Sequence, residues 1–188
     1  MNLPNNETIE ENNARSISSI RNIQNLTDFS VGDNAVYPAH GVGVIEAIER
    51  KIISGNEEWF YIMKILNNGM TIMIPKSNVN TVGLRQVVNS DEVNEIYDIL
   101  KRKEVPRDNN QTWNRRYRQY TEMIRTGSVF EIAEVFRILF RLKKVKELSF
   151  GEKKILDTAQ NLLVKEISIA KNQEESSVQE EMDHILDS

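Results

Sequence analysis

The strongest constraint on this chain is a change of period near Ser90. From Phe29 onward, apolar residues come in short runs: "VGDNAVYP" (31–38), "GVGVIEAIERKII" (41–53), "WFYIMKIL" (59–66), "MTIMIP" (70–75) and "NVNTVGLRQVV" (78–88). Between them stand turn-forming clusters, "SGNEE" (54–58) and "NNG" (67–69). Runs this short, rich in branched and aromatic residues and joined by Gly- and Asn-bearing turns, suit antiparallel strands in tight hairpins. Pro38 and Pro75 close two of the runs, as expected of a residue that cannot donate to a ladder. The pattern predicts five short strands in a small SH3-like or Tudor-like barrel.

After Ser90 the spacing becomes three and four. Val93, Ile96, Tyr97 and Leu100 share one helical face. A polar break at 104–111, containing Pro106, precedes a second helix from about Thr112 to Arg125, stopped by Gly127. A third opens at Ser128 with Glu131 three residues on, and a fourth at Ser149 with Glu152, both fitting a capping box. Each helix is amphipathic and too short to be stable alone, so they are expected to pack as one bundle. The fold class is α+β: a flexible extension over 1–28, a Tudor/SH3-like antiparallel β domain over 29–90, an all-α helical bundle over 91–170, and an acidic, frayed tail over 171–188.

Charge is distributed unevenly along this order. Net charge is only −4, but residues 101–146 hold thirteen basic and five acidic side chains, whereas 171–188 hold one basic and six acidic. A basic block of that kind is either the footprint of a phosphate backbone or a solvated helix face. There is no cysteine, hence no disulfide or thiolate metal site, consistent with a reducing cytoplasm. No apolar run reaches the roughly 20 residues of a membrane span. The two histidines, His40 and His184, make no metal-ligand cluster, and no phosphate-cradling loop or nucleophile elbow is present. Neither a cofactor, a small-molecule substrate nor an enzymatic role is expected, and the chain is expected to be a monomer.

The basic block contains "WNRRYR" (113–118), in which Trp113 is followed by Arg115, Arg116 and Arg118 at a helix start. Cations there oppose the helix dipole, which asks what anion compensates them. Trp113, Tyr117, Tyr120 and Ile124 fall on one face, so the indole can be core. It can equally protrude at the first turn as an aromatic wedge flanked by guanidinium groups, the arrangement by which minor-groove binders distort a base step. The residues alone leave both readings open.

Taken in order, "FSVGDNAVYPAHGVGVIEAIE" (29–49), "MTIMIP" (70–75) with "VGLRQVV" (82–88), "WNRRYR" (113–118) and "LSFGEKKILDTAQNLLVKEISIA" (148–170) resemble the CarD/CdnL family of bacterial transcription regulators. The resemblance implies an N-terminal domain, similar to the polymerase-interacting domain of transcription-repair coupling factors, that binds the RNA polymerase β subunit. It implies a helical domain that contacts promoter DNA at the upstream edge of the bubble and stabilises the open complex. The family tryptophan, matched by Trp113, wedges into the minor groove, and its basic neighbours, matched by Arg115 and Arg118, hold the backbone. Of the family's basic polymerase contacts, Lys51 fits one position; the other aligns with Met73, where the charge is missing. The extension 1–28 lies outside the family pattern. Two other readings compete: an architectural DNA-binding protein acting without polymerase, and a KOW-like RNA-binding module that rests on the barrel alone.

Overall fold

The computed structural model describes residues 28–103 and 112–187; the extension expected over 1–28 lies, apart from Asp28, outside the described residues, as does the polar break at 104–111. Five strands form one antiparallel sheet in the order β4-β3-β2-β1-β5: β1 Asn34–Tyr37, β2 Gly41–Ile53, β3 Asn56–Ile65, β4 Thr71–Pro75 and β5 Arg85–Gln86. The β2–β3 hairpin is closed by Ser54 and Gly55, both at positive φ (51° and 84°), the requirement of a type I′ turn. A bulge between Ile45 and Ala47 shifts the register, so that Ile45 pairs with Met63 and Ile48 with Tyr61. Two inward side chains on β2 can therefore sit three residues apart and still face one core. That core is Phe29, Ala35, Ile45, Tyr61, Met63, Ile65, Ile74, Val79 and Leu84. The Tyr61 hydroxyl inside it accepts from the Phe29 amide at 3.0 Å and donates to Asp28.

The segment expected as a fifth full strand is different. Lys76–Asn78 is a 3-10 turn and Val79–Val82 a single helical turn, α1, ended by Gly83 at φ 73°; only Arg85–Gln86 pair as a strand. Asn78, Asn80 and Gly83 favour turns over extended backbone, and the turn still delivers Val79 and Leu84 to the core.

Five helices follow: α2 Ser90–Lys101, α3 Trp113–Arg125, α4 Val129–Val145, α5 Phe150–Lys171 and α6 Glu175–Asp187. A capping box that the sequence reading passed over starts α2: Asn89 accepts from the Asp91 and Glu92 amides, and Glu92 accepts from the Asn89 amide. The Ser149–Glu152 box at α5 is complete. At α4 only half forms: Ser128 accepts from the Glu131 amide, but the Glu131 carboxylate takes the Thr126 hydroxyl instead, at 2.7 Å.

The tail expected to fray over 171–188 instead forms a helix from Glu175 to Asp187. Val178, Met182 and Leu186 on α6 are fully buried in the helical core, one stripe at four-residue spacing. Its acids meet cations of other helices: Lys171 contacts Glu181, which also accepts from the Tyr97 hydroxyl, and Lys144 meets Asp187 at 2.6 Å. A high acid content was mistaken for lack of structure because the three buried positions are so few. Replacing Met182 by Ala is expected to cost about 2–5 kcal/mol in urea or thermal unfolding, the usual price of emptying a packed methionine site. A frayed tail would give a change within about 0.5 kcal/mol.

The sheet and the bundle are joined directly. Arg85 on β5 grips both carboxylate oxygens of buried Glu166 on α5, at 2.5 and 3.0 Å, and donates to the Gly127 carbonyl at 2.9 and 3.1 Å. Gly127 is packed so closely on Pro38 that a Cβ there would lie 2.9 Å from the proline ring, and its φ of 73° disfavours any other residue.

Candidate nucleic-acid and partner-binding surfaces

α3 begins unusually. Its N-cap, Thr112, makes no side-chain cap hydrogen bond, and its first turn contains no acidic residue. Among the described residues, then, no acid or side-chain cap meets the positive end of the helix. Arg115 and Arg118, three residues apart and so on one face, are exposed there. Among the described residues, neither guanidinium has a hydrogen bond or ion pair, and Lys143 on α4 is equally free. Arg116 is half-buried and already engaged by a neighbour.

The rest of the basic block is largely neutralised within the fold. Lys101 pairs with Asp98 at 2.8 Å, Arg102 with Glu134 at 3.0 Å, Arg125 with Glu122 at 3.3 Å and Arg137 with Glu134 at 2.6 Å. Lys144 and Lys146 are tied to Asp187 and Glu152. The sequence total of the block therefore overstates the field that a ligand would meet, and the free cations concentrate on α3.

The apolar stripe of α3 divides. Tyr120 and Ile124 are 7% exposed and belong to the helical core, but Tyr117 is 41% exposed. Trp113 is the first residue of the helix, one turn further from that core than Tyr117; its indole lies outside the described side chains.

On the sheet, Lys51 and Met73 share a face but not a neighbourhood, since β3 stands between their strands. Met73 pairs with Ile62, and Ile62 with Ala47; Lys51 stands four residues beyond Ala47 and therefore on the same face. Met73 is 47% exposed, and the Lys51 ammonium stands 3.3 Å from Glu49. Among the described residues β4 pairs only with β3, which leaves its outer backbone edge without a partner strand there. Three exposed apolar residues at the far end of the hairpin, Ile52, Ile53 and Trp59, were read from sequence simply as strand; no pattern distinguishes them, because the hairpin outruns the sheet it belongs to.

The sheet domain and the helical domain each match a family model. Residues 29–88 match the model of the CarD-like/TRCF RID domain, and 95–183 that of the CarD C-terminal domain. YdeB of Bacillus subtilis (strain 168), described as a transcription factor, is 38% identical over 150 residues, which is 80% of this chain and 97% of that protein. The chain belongs to the CarD family. Among solved structures, CdnLNt from Myxococcus xanthus is 48% identical, covering 33% of this chain and 87% of its own, with a TM-score of 0.29. The 72-residue N-terminal domain of Myxococcus xanthus CarD is 34% identical, covering 31% of this chain and 79% of its own, with a TM-score of 0.28. As a CarD-family protein it is a transcription regulator, built from a Tudor-like sheet domain and a helical domain. The C-terminal match runs through most of α6, in keeping with that helix being part of the fold. Among the described residues no helix is long and apolar enough to cross a membrane, and no group of His, Asp or Glu is arranged to hold a metal.

Proposed function

We propose that this CarD-family protein stabilises the open promoter complex, holding the RNA polymerase β subunit through its sheet and promoter DNA at the upstream edge of the bubble through α3. The observation that carries the reading is the pair of guanidinium groups, Arg115 and Arg118, that find no partner among the described residues, at a helix start without a side-chain cap hydrogen bond beside Trp113. Phosphates would supply the missing anion, and the exposed Tyr117 half of the stripe supports an indole that serves as a wedge. The β4 edge, which carries Met73, is suited to strand addition, in which backbone hydrogen bonds substitute for the charge absent there; Lys51 lies on the same face two strands in. Such a protein shifts promoter opening only by the difference between its affinities for open and closed DNA.

Three measurements test this. Replacing both Arg115 and Arg118 by Ala should weaken binding to forked duplex and reduce the slope of log affinity against log salt by about two. An unchanged slope would mean that neither group meets phosphate. Lys51→Glu should weaken binding to the isolated β subunit with melting unchanged; wild-type affinity would remove this face from the contact. Trp113→Ala should shorten open-complex lifetime by about five- to a hundredfold while stability falls by less than about 1.5 kcal/mol. A loss of about 3–5 kcal/mol would instead mark the indole as core.

A further inference from the structure

The turn between α4 and α5 carries two large apolar side chains that the fold leaves bare. Val145, the last residue of α4, is 83% exposed, and Phe150, the first of α5, is 85% exposed. Neither is needed to start the helix, because Ser149 and Glu152 already do so with a full capping box. Lys143, Lys146, Lys153 and Lys154 are exposed on the same turn and the residues flanking it. A cavity of about 530 Å³ opens there, lined by residues 146–150, Glu152 and Lys153.

The floor of this cavity holds an incomplete acceptor. Glu152 is only 2% exposed. Its Oε2 accepts from the Ser149 amide at 2.8 Å and the Ser149 hydroxyl at 2.9 Å. Its Oε1 is buried and accepts no hydrogen bond, with the Lys146 ammonium nearest, at 3.6 Å. Burial raises the carboxyl pKa, but the Ser149 hydrogen bonds and the Lys146 charge outweigh it and hold the group below its ordinary value, so it is ionised and purely an acceptor at neutral pH. A buried acceptor without a donor is costly unless something supplies one. An exposed aromatic face, a buried carboxylate oxygen seeking an N–H, and surrounding ammonium groups describe the three faces of a nucleotide: its ring, its exocyclic amine and its phosphate.

We propose that this turn is a binding site for an unpaired base of single-stranded DNA, with Phe150 stacking on the base, Glu152 Oε1 accepting from its exocyclic amino group, and Lys146, Lys153 and Lys154 meeting the adjoining phosphates. Lys153 would exchange its present pairing with Glu147, at 3.1 Å, and Lys146 its contact with Glu152 Oε1, at 3.6 Å, for phosphate, leaving that oxygen to the base. The site rests on the nucleic-acid half of the function proposed above, but not on its polymerase half or on α3. It selects bases that carry an exocyclic amine, so cytosine is held and thymine, which offers a carbonyl there, is not.

The test uses the full chain without polymerase, in neutral low-salt buffer, with fluorescent homopolymers of deoxycytidine and deoxythymidine of roughly 12 nucleotides. The wild-type protein should bind the deoxycytidine strand more tightly. Phe150→Ala should weaken it by at least about fivefold without changing the melting temperature, since the residue is 85% exposed. Glu152→Gln keeps the capping box, because glutamine fills the same role, and turns an amide donor towards the cavity. It should erase the preference for deoxycytidine. Wild-type binding by Phe150→Ala, or no base preference for Glu152→Gln to erase, overturns the proposal. So does a Phe150→Ala protein that keeps both homopolymers but loses polymerase, which would make the patch a protein contact. Failure of α3 is read separately, on forked duplex with the Arg115 and Arg118 variants.

Discussion

One guanidinium holds the two halves of this protein in a fixed relation. Arg85 stands on the shortest strand of the sheet and reaches into the bundle, where it binds both oxygens of Glu166 and the Gly127 carbonyl. Glu166 also accepts from the Val88 amide at 3.3 Å, so its buried charge is met on both oxygens. Taken alone, a buried ion pair is a weak source of stability, because desolvation offsets most of the attraction. Its value here is geometric. Arg85 offers planar donors in fixed directions, and they can be satisfied only when β5, the carbonyl just beyond α3 and the middle of α5 stand in one arrangement. The same cation lies at the negative end of the α3 dipole, the end where a positive charge is favourable. Gly127 and Pro38 close the joint by contact, with no room for even one added carbon.

Much of this architecture was legible in the residues, and the failures share a cause. The β2 limits, the hairpin turns and the buried stripes of α2, α4 and α5 follow from period and turn chemistry, which are local. What escaped is where local preference and tertiary demand diverge. Residues 78–88 carry enough Val and Leu to read as a strand, yet Asn80 and Gly83 make a helical turn cheaper, and the core accepts Val79 and Leu84 from either. α6 was hidden because an acidic surface helix and an acidic disordered tail differ in only three residues, Val178, Met182 and Leu186. The Arg85–Glu166 joint spans 81 positions, and no pattern in a single sequence pairs residues that far apart.

The candidate surfaces were legible in a different measure. Charge counting located the basic block but could not say which of its cations are free. Glu122, Glu134, Glu152 and Asp187 lie outside or between the arginines and lysines in sequence, and they reach them only through helix spacing and packing. Among the described residues, what survives this internal pairing is small and specific: Arg115, Arg118 and Lys143, not a general positive field. Phe150 was read past because it sits inside a capping box, where the first helical residue carries no pattern of its own.

Sparse free charge and a rigid joint belong together. Two unpaired guanidinium groups give modest DNA affinity, and a single lysine 3.3 Å from a glutamate gives a modest protein contact. On the proposed reading neither contact is strong alone, which keeps the protein from settling on bulk DNA. Joined on one body, the second contact forms at the high effective concentration set by the first, and only where polymerase and an opening duplex present both surfaces at the matching separation. A flexible linker would blur that separation and admit many wrong geometries. A joint built from Arg85, Glu166 and the Gly127–Pro38 contact admits one, so specificity for the opened promoter can reside in distance and angle.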